Sequence, residues 1–242
     1  MMKNKMKKSK SNSALFAAFP HTLPIMAGFL FLGMSYGIYM HSKGFSFLYP
    51  MLMSITVFAG SMEFAAVNLL LGAFDPLQAF LMTLMVNARH LFYGISLLDK
   101  YRGAGIKKLY LIFGLCDESF SINCSVTPPE NVNKNKFMFF VTLLNQCYWV
   151  TGATLGGIFG NFIFFNTEGI EFVMTAMFVV IFLENWLKEK NHLSSLLGLF
   201  IPAFCLVLFG KNGYIIPAML IIVATLILLK PYFTKREAKV KK

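Results

Sequence analysis

Eight apolar stretches follow one another with almost nothing between them, at about 14–40, 46–72, 77–98, 108–125, 137–165, 170–187, 193–209 and 214–229. The connections are short and polar: "HSKG", "FDP", "DKYRGAGIKK", "TPPENVNKNK", "NTEG", "KEKNH" and "GKNG". None is long enough to hold a domain of its own. A helix needs about 20 apolar residues to cross a hydrocarbon core of about 30 Å, and half of these stretches exceed that length. The pattern predicts an all-α, polytopic membrane protein of about eight hydrophobic segments. The stretches at 108–125 and 193–209 are marginal, and 137–165 is long enough to tilt.

Composition agrees. Only 14% of the 242 residues are charged, against about 25% in soluble domains. The formal charge of +11 gathers at the ends. Lys3, Lys5, Lys7, Lys8 and Lys10 begin the chain, and Lys230, Lys235, Arg236, Lys239, Lys241 and Lys242 finish it. Basic ends invite a nucleic-acid reading, but no basic face with interleaved aromatics lies between them, so no nucleic-acid partner is expected. The positive-inside rule instead places both termini in the cytoplasm. The expected organisation is a basic tail at 1–13, one transmembrane domain at 14–229 and a second basic tail at 230–242, in the inner (plasma) membrane. The basic start followed by an apolar run is not read as a cleaved signal peptide. The run carries Pro20 and Pro24, continues to Tyr39 and has no small-residue cleavage site.

Eight full crossings put 15 Lys and Arg inside and 6 outside. If 46–72 and 170–187 dip in and return, the tally becomes 17 to 4. Some segments are therefore expected to be broken or re-entrant, and an even number of crossings is expected. Transporters often hide inverted repeats; no repeat is convincing in the sequence, and a hidden one is a further expectation. Gly33 and Gly37, and Gly152, Gly156 and Gly160, fall four apart. Small residues at that spacing let helix backbones approach closely in lipid, which reads as scaffold.

Against this background, polar groups inside apolar stretches stand out. An ionisable side chain at the bilayer centre costs about 2.5–3.5 kcal/mol on insertion scales. The chain accepts Glu63 in "FAGSMEFAAVN", Asn87, Arg89 and His90 in "VNARHLFYG", and Asp117 with Glu118 in "GLCDESFSIN". Glu184 in "FLENW" lies nearer a segment end. Facing lipid would leave such groups without partners, so they are expected to converge on an interior or watery cavity. Arg89 is expected to meet Asp117, Glu118 or Glu63. On a regular helix Asn87 and His90 share a face, while Arg89 shares one with Tyr93. Gly60 and Ser61 before Glu63 permit a helix break, which would free backbone groups for a charged ligand at the midplane. Asn145, Trp149 and Gly152 fall on one stripe of "NQCYWVTG"; this is either a pocket wall or an interfacial aromatic belt.

Four cysteines, Cys116, Cys124, Cys147 and Cys205, show no C-x-x-C spacing and read as buried small hydrophobes. No metal site is implied. No H-E-x-x-H, G-x-S-x-G or Gly-rich phosphate loop occurs, so neither an enzyme nor a cofactor is expected. A channel would need a filter or ring-forming motif, and none is visible.

The motifs "FAGSMEFAAVNLLLGAF", "VNARHLFYGISL", "DESFSI" and "YWVTGATLGGIFG" occur in this order. Together they resemble the AzlC family, the large subunit of branched-chain amino acid exporters, over about residues 14 to 185, with "GIEFVMTAMF" included. The resemblance implies a secondary transporter that exports valine, leucine, isoleucine and sometimes methionine, coupled to protons and working with a small membrane protein similar to AzlD. Family members commonly carry Gln where this chain has Glu63 and Thr where it has Cys116. The substrate-binding or coupling candidates are Glu63, Asn87, Arg89, His90, Asp117, Glu118, Asn145 and Trp149. Arg89 suits the substrate carboxylate or a structural ion pair. Asp117 or Glu118 suits the ammonium or a coupling proton, and His90 a proton relay or an interhelical hydrogen bond. The alternatives to a coupled exporter are a membrane-embedded scaffold or receptor subunit and a non-selective channel.

Overall fold

The structure, a computed structural model, describes residues 2–73, 75–162, 172–188, 192–214 and most of 217–229, with most of their side chains from Ala14 onward. It forms two compact units, Met1–Val173 and Met174–Lys242. The charged side chains of both tails and that of Glu184 lie outside the described residues.

The first unit is organised by two long helices, α1 (Met2–Ser42) and α7 (Lys134–Phe159). Their backbones nearly touch because glycines meet along the whole crossing. A Cβ on Gly33 would lie 2.9 Å from Ala153 N and Trp149 O, and one on Gly152 would lie 2.8 Å from Leu30 O. Gly37 and Gly156 face backbone more closely still, against Ala153 and Met34. Gly160, just past α7, packs on the His41 ring, and Gly157 receives Phe47 and Pro50. The spacing legible in the sequence thus fixes the central helix pair by close backbone packing.

Two of the apolar stretches are each split. The first becomes α2 (Leu48–Thr56) and α3 (Gly60–Leu71), separated by Val57, Phe58 and Ala59. Phe58 is held at φ +47 with its ring buried, and Ala59 at φ −140, ψ 80. A bulky residue in the left-handed region costs about 1–3 kcal/mol and persists only where its surroundings impose it. The second stretch becomes α5 (Lys107–Phe113) and α6 (Asp117–Ser125). Its break runs through Gly114, whose missing Cβ makes room for the Thr142 side chain on α7, to an extended Cys116. The break before Glu63 matches the sequence expectation. The break before Asp117 does not, since 108–125 reads as a single marginal segment. Between the two lies α4 (Pro76–Leu97), a helix of 22 residues.

The breaks also bear on the count of crossings. The half-helices have 9, 12, 7 and 9 residues, all short of the about 20 needed to span. Among the described residues, only Ala14–Ser42 and Leu193–Gly210 are by themselves long and apolar enough to cross a membrane. Phe16, Leu77, Ile95 and Leu109 are exposed on the outside of the unit. Tyr101, Leu111, Ile122, Phe137 and Val141 belong to one buried hydrophobic cluster inside it.

The second unit contains α8 (Phe172–Lys188), which begins at the boundary, and α9 (Leu193–Gly213). Trp186 of α8 stacks on His192, the residue before α9, with ring centroids 4.0 Å apart. Gly210, at φ +69, kinks the end of α9.

Candidate functional site

The two breaks have the same consequence. Each starts a new helix inside the unit, with acidic residues in its first turn: Glu63 in α3, Asp117 and Glu118 in α6. A helix N-terminus carries unsatisfied N–H groups and a partial positive charge, so these carboxylates sit where the backbone favours them.

Arg89, midway along α4, connects the two starts. One guanidinium nitrogen donates to Ser61 Oγ in the first turn of α3, at 3.2 Å. The other lies 3.1 Å from Asp117 Oδ2 in the first turn of α6. A planar guanidinium holds two partners in fixed directions, which an ammonium cannot do. Of the partners the sequence offers Arg89, Asp117 is the one it pairs with; Glu63 is engaged elsewhere. Tyr93, one turn along α4, lies near the same Asp117 carboxylate and stacks on Phe120 of α6 at 4.3 Å. His90 packs edge-on against Tyr93, with centroids 5.7 Å apart. Glu118 lies against Cys116.

Helix α7 braces both breaks through "NQCYW". Trp149 Nε1 donates to both Glu63 oxygens at 3.1 Å. Gln146 Nε2 donates to the Ile55 carbonyl at the end of α2 (3.0 Å), while its Oε1 accepts from the Tyr110 hydroxyl on α5 (2.6 Å). Asn145 Nδ2 donates to Ser119 Oγ of α6 at 3.4 Å. Asn145 and Trp149 are buried, so Trp149 belongs to the interior and not to an interfacial belt. Gly60 packs directly on its indole, where a Cβ would lie 2.9 Å from the ring.

Glu63 is 0% exposed. Besides Trp149 it accepts the Ala59 N–H at 3.0 Å, so its own side chain closes the start of α3. In contrast, several buried oxygens accept no hydrogen bond among the described residues: Oδ1 of Asn87, Asp117 and Asn145, and that of Asn123 further along α6. A buried polar atom without a partner costs about 1–3 kcal/mol and points to an absent donor.

The sequence candidates therefore fall into two linked groups. Arg89 and Asp117 meet directly, with His90 nearby through Tyr93. Glu63 and Trp149 meet directly, and Asn145 joins α6 through Ser119. Ser61, Ser119, Gln146 and Tyr110 complete these contacts. The sequence marks Ser61 only as part of a possible helix break and not as a partner for Arg89, and the single Ser119 hydroxyl gives no signal of its own. The arrangement offers a fixed cation, two helix N-termini and unfilled acceptors, which together suit a small zwitterion.

A family model described as "AzlC protein" matches residues 24–163, which contain both breaks and every candidate site residue. A protein of Bacillus subtilis (strain 168) named "Branched-chain amino acid transport protein AzlC" is 62% identical over 97% of this chain and 92% of its own length. An "Uncharacterized membrane protein" of Haemophilus influenzae is 49% identical over 92% and 91% of the two chains. The "Inner membrane protein YgaZ" of Escherichia coli is 23% identical over 70% and 72%. No solved structure matches the chain. The chain is a membrane protein and belongs to the AzlC family.

Proposed function

We propose that this protein exports branched-chain and similar apolar amino acids (valine, leucine, isoleucine and methionine) as a secondary transporter driven by protons. It would lie in the plasma membrane with both termini in the cytoplasm. The substrate's carboxylate is received by Arg89 and the N-termini of α3 and α6. Its ammonium is received by Asp117 at the start of α6, Asn145 on α7 and Asn87 on α4. The 62% identity to a protein named for branched-chain amino acid transport supports the substrate class.

The single observation that carries the binding mode is the meeting of Arg89, Ser61 and Asp117, with buried acceptor atoms on Asp117 and Asn145 left unfilled. Broken helices that present their ends to a charged substrate are a recurring solution in secondary transporters. The substrate supplies the missing N–H donors, and its carboxylate replaces part of Arg89's present partnership.

Proteoliposomes loaded with leucine test this reading, with and without a small AzlD-like partner in the same vesicles. Efflux should require a proton gradient and proceed without ATP. Flux that needs ATP, or that ignores the gradient, would overturn the coupling. Absence of flux in both preparations would overturn transport by this chain and favour a scaffold role.

A further inference from the structure

Glu63, like Glu118, is a carboxylate the binding scheme above leaves unused, and its surroundings are unlike those of Asp117. It is fully buried, and no cation pairs with it among the described residues. From α7 it meets Trp149; from the break it meets the Ala59 N–H. From α1 the titratable neighbour is Tyr36, whose hydroxyl points to Met53 Sδ on α2 at 3.3 Å. From α4 comes Arg89, but it is bound to Ser61 and Asp117. Among the described residues, an ionised Glu63 is therefore held only by neutral N–H groups and the partial charge at the start of α3, about half a unit. A buried charge without a counter-ion is costly, and groups so placed tend to neutralise.

The geometry also specifies what neutralisation does. Trp149 Nε1 is 3.1 Å from both carboxylate oxygens, while Ala59 N–H holds Oε1 alone. A proton delivered by hydronium forms an O–H bond on Oε2 and leaves water behind; no electrons are exchanged. Oε2 then becomes a donor facing another donor, the indole N–H. The bonds that Ala59 and Trp149 make to Oε1 survive on a now neutral and weaker acceptor, and the Trp149 bond to Oε2 is lost.

We propose that Glu63 is a proton-binding site whose loading loosens Trp149 from the start of α3. The effect has a short route to the substrate groups. Gly60 packs on the same indole, and Ser61, the next residue, holds Arg89, which holds Asp117. Proton and substrate sites are thus joined through the first turn of α3, and linkage makes their influence mutual. The transporter reading is needed only for this last step, because proton binding itself can be measured without substrate.

Trp149 provides the readout. The chain has two tryptophans, and Trp186→Phe leaves Trp149 as the sole tryptophan, which can be excited apart from the tyrosines. Purified Trp186→Phe protein should show a one-proton transition in Trp149 emission between about pH 4 and 9.5, within the range of perturbed carboxylates. Adding Glu63→Gln should abolish the transition and fix emission near its acid value, since an amide mimics the protonated acid. Glu63→Asp should keep a transition with a shifted midpoint, and replaces the Gln variant should that fail to elute as folded protein. A flat curve in Trp186→Phe, or an unchanged transition in Glu63→Gln, would overturn the proposal. A Glu63-dependent transition in a protein that shows no flux would uphold the proton site and overturn the transport reading alone.

Discussion

Arg89 and Asp117 lie on different helices, α4 and α6, with guanidinium and carboxylate 3.1 Å apart. The same guanidinium reaches Ser61 on α3. One side chain from an intact helix therefore fixes the spacing between two helices that begin inside the protein.

Replacing Arg89 separates charge from geometry. Lysine keeps the charge but loses the two-pronged hold. In Arg89→Lys, leucine flux should fall at least about tenfold, which corresponds to about 1.4 kcal/mol of lost binding or barrier lowering. Arg89→Ala should be inactive. The Arg89 side chain is 31% exposed, so solvent screens the pair and the stability loss should be smaller than for a dry ion pair. Flux and thermal unfolding in detergent, measured on the same preparations, check both expectations.

Gly156 and Gly28 make a matched pair for the α1–α7 crossing. A Cβ at Gly156 would meet the Met34 backbone, whereas one at Gly28 meets nothing within 4 Å. Gly156→Ala should lower thermal stability by about 1–3 kcal/mol, as overpacking does, while Gly28→Ala should be neutral or slightly stabilising in its helix. Unfolding midpoints of the two variants provide the check.

Gln146 ties the end of α2 to α5 with two hydrogen bonds. Gln146→Leu removes both and leaves the Ile55 carbonyl and the Tyr110 hydroxyl to find new partners. The site is partly open, so the cost should be about 0.5–1.5 kcal/mol per bond. Hydrogen exchange should show faster opening around residues 55–60, with exchange in α1 unchanged.

Gly60→Ala tests the contact on which α3 begins. The added methyl would press on the Trp149 ring at 2.9 Å and push the indole away from Glu63. Trp149 emission should shift in the Trp186→Phe background, and flux should fall, because Ser61 moves with the same turn. An unshifted spectrum with full flux would remove this contact from the mechanism.

Much of this was legible in the sequence, for physical reasons that differ by element. The packing role of the α1 and α7 glycines could be read because glycines four apart have few other uses in an apolar helix, although the spacing does not say that these two helices meet. The first break could be read because Gly60 and Ser61 precede a carboxylate that needs a partner. The second break was hidden: Gly114 is a lone glycine, and the room it makes is filled by Thr142, 28 positions further on. The division of the carboxylates was also hidden. Nothing in the spacing of Glu63 or Asp117 tells which will meet Arg89; packing decides that Asp117 does and that Trp149 takes Glu63. The eight apolar stretches were visible as composition, but their breaks depend on side chains from α7.

The central claim is that both charged ends of one small zwitterion are recognised at the junction of α3, α4 and α6. Calorimetric binding of three ligands to the detergent-purified protein tests it most directly: leucine, 4-methylpentanoate, which lacks the ammonium, and 3-methylbutylamine, which lacks the carboxylate. Leucine alone should bind, and Arg89→Ala and Asp117→Asn should each abolish its heat. Equal binding of either half-ligand, or leucine binding untouched by both substitutions, would contradict the claim.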